Sequence, residues 1–91
     1  MTRDDMLNIS RRLVNQLDSL EAILAQIPQS QHAFIFSSER EARELWQIAN
    51  YETETRATPE QAAHLNRLTN RLNTLLGALP AVVRKQIKKG P

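Results

Sequence analysis

The chain has 91 residues, of which 41% are hydrophobic and 24% charged, and its formal net charge is +2; this is the size and make-up of one folded domain, not of a disordered chain. It holds no cysteine, which excludes a disulfide framework and a thiolate metal site. Its start, Met1-Thr2-Arg3-Asp4-Asp5, lacks the basic-then-apolar layout of a signal peptide. Its longest nonpolar run, Leu75 to Val83, falls far short of the roughly 20 residues of a spanning helix, so a soluble, cytoplasmic protein with no membrane partner is expected.

The first predicted helix covers residues 3–27. Thr2 followed by Asp5 forms a capping-box start, and Asp4 and Asp5 suit the positive end of the helix dipole. Met6, Leu13, Leu17, Leu20, Leu24 and Ile27 recur at three- and four-residue steps, with Ser10 the polar interruption. This is a narrow stripe of coiled-coil period. Pro28 disfavours helical geometry at Ile27 and predicts the stop there.

Residues 28–37 are predicted as a connector, with Ala33-Phe34-Ile35-Phe36 as an apolar plug over the end of the bundle. A strand is not expected there, because no partner strand exists and an isolated one is unstable. The second helix, residues 38–55, is placed at the capping-box pattern Ser38-x-x-Glu41. Glu39/Arg43 and Arg40/Glu44 form i,i+4 pairs on its outer face, while Ala42, Leu45, Trp46 and Ala49 form its inner one.

The third helix, residues 59–77, has the clearest boundary. Thr58 is the N-cap, Pro59 occupies the first helical position, and Gln61 completes the box. Leu65, Leu68, Leu72, Leu75 and Leu79 then alternate in three- and four-residue steps, beside a stripe of Asn66, Asn70, Asn73 and Gly77. The asparagines read as exposed filler or as register-setting groups in a helix interface. Pro80 restarts a short basic helix over residues 80–89, in which Val83 and Ile87 share one face.

These elements predict an all-α fold, a three-helix bundle with a short basic C-terminal helix and coiled-coil-like leucine seams. Leu13, Leu17, Leu20 and Leu24 would meet Leu65, Leu68, Leu72 and Leu75 at the helix–helix interface. Unequal helix lengths would leave part of the longest seam bare, so a homodimer, by preference a closed two-fold one, is expected.

No chemistry-bearing constellation is present. His32 and His64 lack ligand spacing, and Glu39, Glu41 and Glu44 alternate with arginines as a solvated ion-paired face does. Two glycines cannot build a phosphate-cradling loop. No catalytic residue, cofactor, metal or small-molecule substrate is expected, and the chain does not read as an enzyme.

Charge is distributed unevenly along the chain. Residues 61–91 contain no carboxylate and carry Arg67, Arg71, Arg84, Lys85, Lys88 and Lys89, whereas the first 60 residues hold all ten carboxylates and six arginines. The basic stretch would meet either a nucleic acid or acidic partner, or the acidic middle helix of the same chain. The segment from Asn73 through Leu76-Gly77-Ala78-Leu79-Pro80 to Val83, Arg84-Lys85 and Ile87-Lys88-Lys89-Gly90 resembles the C-terminal helix-turn-helix of Fis-type nucleoid proteins. It departs from that pattern at Asn73, where a small residue is usual, and at Leu79, where a polar cap is usual. The resemblance implies a glycine turn at Gly77 and a basic second helix for the major groove. The functional expectation is a small non-catalytic adaptor or regulator that binds another protein, and itself, through helix faces. The alternative is a DNA- or RNA-binding regulator using the basic C-terminal surface.

Overall fold

The computed structural model describes residues 1–51 and 56–87. Among them the chain is helical, with α1 (Arg3–Glu21), α2 (His32–Tyr51), α3 (Pro59–Ala78) and a one-turn α4 (Ala81–Arg84). Short 3₁₀ turns at Leu24–Gln26 and Gln29–Gln31 join α1 to α2. No strand forms among the described residues, and the isolated bridge between Thr2 and Arg56 is the one extended pairing.

Two of the three capping boxes anticipated at helix starts, those of α1 and α3, are closed. The Asp5 N–H donates to Thr2 Oγ1 at 3.1 Å and the Thr2 N–H returns to Asp5 Oδ2 at 3.1 Å. The backbone and side-chain bonds from Thr2 hold the Asp5 carboxyl below its ordinary pKa. At α3 the Gln61 N–H donates to Thr58 Oγ1 at 3.1 Å and the Thr58 N–H to Gln61 Oε1 at 2.9 Å.

Three boundaries differ from expectation. α4, expected over 80–89, stops at Arg84 and gives way to a turn at 85–87, and residues 88–89 lie outside the described residues. α1 ends at Glu21, well short of Pro28. Ile23 leaves helical geometry at φ −126° and ψ 30°, so Leu24 and Ile27 reach the core from a folded-back connector. That fold-back is held by His32, whose Nε2 lies 3.0 Å from the carbonyl oxygens of both Leu24 and Ile27. α2 begins at His32 rather than Ser38. Ser38 is no cap but a buried residue in the helix interior, 2% exposed, and the Phe34–Phe36 plug is the first turns of α2. The predicted end of this helix at 52–55 lies outside the described residues.

The reason is visible in the inner face of α2, which runs Ile35, Ser38, Ala42, Leu45, Ala49 at helical spacing. Its small members let α1 approach closely, and α1 answers with its own buried serine, Ser10, whose hydroxyl donates to the Met6 carbonyl at 2.6 Å. α1 and α2 run antiparallel. Arg3, at the start of α1, donates from Nε to the Ala49 carbonyl at 2.6 Å and from Nη2 to the Asn50 carbonyl at 3.1 Å. The guanidinium thus satisfies the last carbonyls of α2 at the negative end of its dipole.

α3 lies alongside in the opposite direction to α2, since His64 is near Glu41 and Arg71 near Phe34. Its leucines Leu65, Leu68, Leu72 and Leu75 are buried, and the same ridge continues past Pro80 as Leu79, Val83 and Ile87. α4 is therefore fastened to the core by apolar contact, and Gln86 and Gln26 exchange reciprocal amide hydrogen bonds at 2.9 and 3.2 Å beside it. Buried residues of all four helices form one apolar cluster.

Of the residues expected at the helix–helix interface, Leu13, Leu17, Leu20, Leu65, Leu68, Leu72 and Leu75 are buried within this single chain, and Leu24 is partly buried against them. The shortened α1 and the folded-back connector leave no bare length of seam, so the geometric reason for covering it with a second copy disappears. No helix among the described residues is long and apolar enough to cross a membrane.

A fully buried leucine contributes about 1.5–3 kcal/mol by transfer alone, and truncation adds a cavity term. Leu72→Ala, at a site 1% exposed, is expected to lower the unfolding free energy by about 2–5 kcal/mol. Tyr51→Ala, at a site 85% exposed, is expected to change it by less than about 0.5 kcal/mol. Urea denaturation followed by circular dichroism reads both.

Candidate functional site: a cationic cleft between α1 and the α3–α4 corner

The bend at Leu79-Pro80 swings α4 out of line with α3 and opens a cleft against α1. Leu79 is extended at φ −82° and ψ 149°, and Pro80 keeps extended geometry at ψ 149° before α4 starts. Because Val83 and Ile87 turn inward to the core, Arg84 and Lys85 are left on the outside. The cleft has a volume of about 630 Å³. Leu76, Ala81 and Ile87 give it an apolar floor, while Arg12, Gln16, Asn73, Arg84 and Lys85 line it with cations and amides. Among the described residues no carboxylate lines it.

The three cations are uncommitted. Among the described residues none of Arg12, Arg84 and Lys85 makes an ion pair, since the pairs that form are Arg43 with Asp18, Arg43 with Glu39, and His64 with Glu41. Arg67 and Arg71 do not join the cleft. Arg71 stacks over the Phe34 ring, 4.2 Å from its centroid, beside a smaller groove of about 360 Å³ between α3 and the start of α2. Arg67 is exposed and unpaired among the described residues. Among the described residues the α3 arginines form no pair with the carboxylates of α2, the alternative in which the basic stretch meets the middle helix, and the histidine of α3 approaches one, at 3.7 Å from His64 Nε2 to Glu41 Oε2. Lys88 and Lys89 lie outside the described residues.

The helix-turn-helix likeness does not carry through to geometry. Gly77 is in the last turns of α3, not in a turn between helices, and a Cβ added there would meet nothing within 4 Å. α4 has four residues, too few to lie along a major groove as a recognition helix does. Asn66, Asn70 and Asn73 are exposed, which removes the register-setting role within the chain. His32 is committed to the connector carbonyls. Among the described residues there is no group of three or more histidines and carboxylates placed to hold a metal ion.

Arg12 and Gln16 are the site residues that reading the sequence alone missed. Their i,i+4 spacing marks a shared face of α1, but only the tertiary fold brings that face to Arg84 and Lys85. Across α1 the charge is reversed. There Asp18 and Glu39 share Arg43, whose Nε donates to Glu39 Oε1 at 2.7 Å and whose Nη2 reaches Asp18 Oδ2 at 3.2 Å. The carboxylates draw the Arg43 pKa upward, the Glu39 hydrogen bond first among causes. Arg40 and Glu44, expected as a second pair, form no ion pair among the described residues. Glu21 completes this acidic face. Its pKa is raised, first by burial and then by repulsion from Glu39 and Asp18.

Comparison with known protein families, curated proteins and solved structures finds no match to this chain.

Because the folded-state pKa of Glu21 lies above its unfolded one, ionising it weighs against folding at neutral pH, and that cost vanishes as pH falls below both values. Glu21→Gln is therefore expected to raise stability at pH 7 by less than about 1 kcal/mol, a small figure because the site is largely solvated. The difference from wild type should close below about pH 4. Thermal melts across a pH series test this.

Proposed function

We propose that the chain is a small non-catalytic adaptor or regulator, a three-helix bundle with a short basic end, that binds a protein segment through the cleft between α1 and the α3–α4 corner. The observation that carries the reading is the pairing of three uncommitted cations, Arg12, Arg84 and Lys85, with an apolar floor of Leu76, Ala81 and Ile87. Unpaired cations attract an anionic partner and steer its approach. An apolar floor rewards a partner that brings greasy side chains as well, because burying them contributes about 25 cal/mol per Å². A segment bearing carboxylates around apolar side chains meets both demands, and a helix laid into a groove is a common way to present them.

The same cations favour a second reading, a phosphate backbone as partner, with affinity falling steeply with salt. Against it, no aromatic side chain among the described residues lines the cleft for base stacking, and the one-turn α4 supplies no recognition helix. The protein reading accounts for the apolar floor, which a phosphate backbone would leave unused.

A fluorescent peptide with glutamates flanking leucines at helical spacing is expected to bind, with anisotropy as the readout. Arg84→Glu/Lys85→Glu, both at exposed positions, should weaken binding at least about tenfold while leaving the circular dichroism melt in place. Binding of mixed-sequence DNA or RNA in preference to the peptide, abolished by the same pair, would transfer the cleft to nucleic acid.

A further inference from the structure

We infer that the cleft's partner is a second copy of this chain, docked head to tail through the acidic face around Asp18, Glu21, Glu39 and Phe36. This rests on the reading of the cleft as a seat for an acidic, apolar protein segment. The chain carries a surface of that description. Its acidic face gathers three carboxylates around the guanidinium of Arg43; Arg40, one turn from Phe36 on α2, is the other cation of that ridge, so the carboxylates remain in excess. Among the described residues the cleft gathers three cations and no carboxylate. Each face carries an excess of the charge opposite to the other's.

The acidic face also brings an apolar side chain. Phe36 is 47% exposed. On α2 it precedes Glu39 by three residues and Arg43 by seven, so it stands on the same ridge as the ion-paired cluster. An aromatic side chain seated in an apolar pocket inside a polar rim is a common interface anchor, and the floor of Leu76, Ala81 and Ile87 is the apolar surface available to it on another copy.

The two faces point apart. Arg12 and Glu21 are nine residues apart on α1, which at 3.6 residues per turn is two and a half turns, or opposite sides of the helix. One copy is then free to offer its acidic face to a neighbour while its own cleft receives another. Contacts of this kind are heterologous, and they build rings or open chains, in contrast to a closed two-fold dimer. The leucine core does not enter into them, since it is already buried within each copy.

Sedimentation velocity of the full chain over a concentration series, at low and high salt, tests the inference. At low salt the mass should grow with concentration beyond that of a dimer, and high salt should return it to monomer. Two neutralising variants separate the faces: Arg84→Gln/Lys85→Gln in the cleft, and Asp18→Asn/Glu21→Gln/Phe36→Ser on the acidic side. Each alone should stay monomeric, with self-association weakened at least about tenfold. Mixed one to one, they should form a heterodimer and stop there, because only one competent contact remains. Should a variant fail to fold, the acidic peptide used for the cleft should dissociate the wild-type assembly. A wild-type chain that is monomeric throughout, a two-fold dimer that survives in both variants, or a mixture that forms no heterodimer would overturn the inference. If the peptide binds the wild-type monomer while no self-association occurs, this inference fails and the cleft reading stands; if neither is seen, both fail.

Discussion

Everything in this molecule depends on how closely α1 and α2 approach each other. Ser38, Ala42 and Ala49 on one helix and Ser10 on the other remove bulk from the contact, so the larger residues Leu13, Val14, Leu17, Leu20, Ile35 and Leu45 interlock around them. Close packing of this kind makes the cost of any lost methylene high. The antiparallel pair is then pinned at both ends: by Arg3 on the final carbonyls of α2, and by His32 on the carbonyls of the fold-back. α3 completes the core by laying its leucine ridge against this pair. Because that ridge keeps its four-residue step through Leu75, Leu79, Val83 and Ile87, the chain can break its helix at Pro80 without breaking its hydrophobic seam.

This continuity is what creates the cleft. Inward-facing Val83 and Ile87 anchor a segment whose alternate positions are Arg84 and Lys85, so the same periodicity that secures α4 also presents its cations. They face α1 at a place where that helix offers Arg12 and Gln16 in place of a carboxylate. Three carboxylates, Asp18, Glu21 and Glu39, lie on the far side of α1 and on α2, around the guanidinium of Arg43. A chain of nearly balanced total charge thus becomes a folded body with strongly unlike sides.

Much of this was legible in the residues. The Thr58-Pro59-x-Gln61 start and leucine step of α3 place that helix within a residue of its observed bounds, and Thr2 with Asp5 places the start of α1. The errors share one cause. Ser38 preceding Glu41 is a capping pattern by local chemistry, yet tertiary packing uses Ser38 as a small buried residue, and α2 extends back to His32. In the same way Pro28 marks a latest possible end for α1, whereas the demands of the fold-back end it at Glu21. Local signals give permission for a cap or a stop, and the core decides whether it is used. The basic patch was half legible: Arg84 and Lys85 stand out in a carboxylate-free stretch, but Arg12 lies some 70 residues away, and nothing in the chain order announces that they meet. The spread of the α3 arginines, one over Phe34 and one into solvent, was equally hidden, because neighbours one turn apart were expected to act together.

One chain, alone, closes a single core from all four helices and leaves the cationic cleft outside it. Native-state hydrogen exchange measures this most directly. At high salt, where the chain is monomeric, amides of Leu17, Leu20, Ala42, Leu65, Leu68 and Leu72 are expected to share the slowest exchange, at the free energy of global unfolding, with protection that does not change with protein concentration. α3 amides exchanging far faster than those of α1 and α2, or core protection that rises with concentration at that salt, would contradict a core closed by one chain.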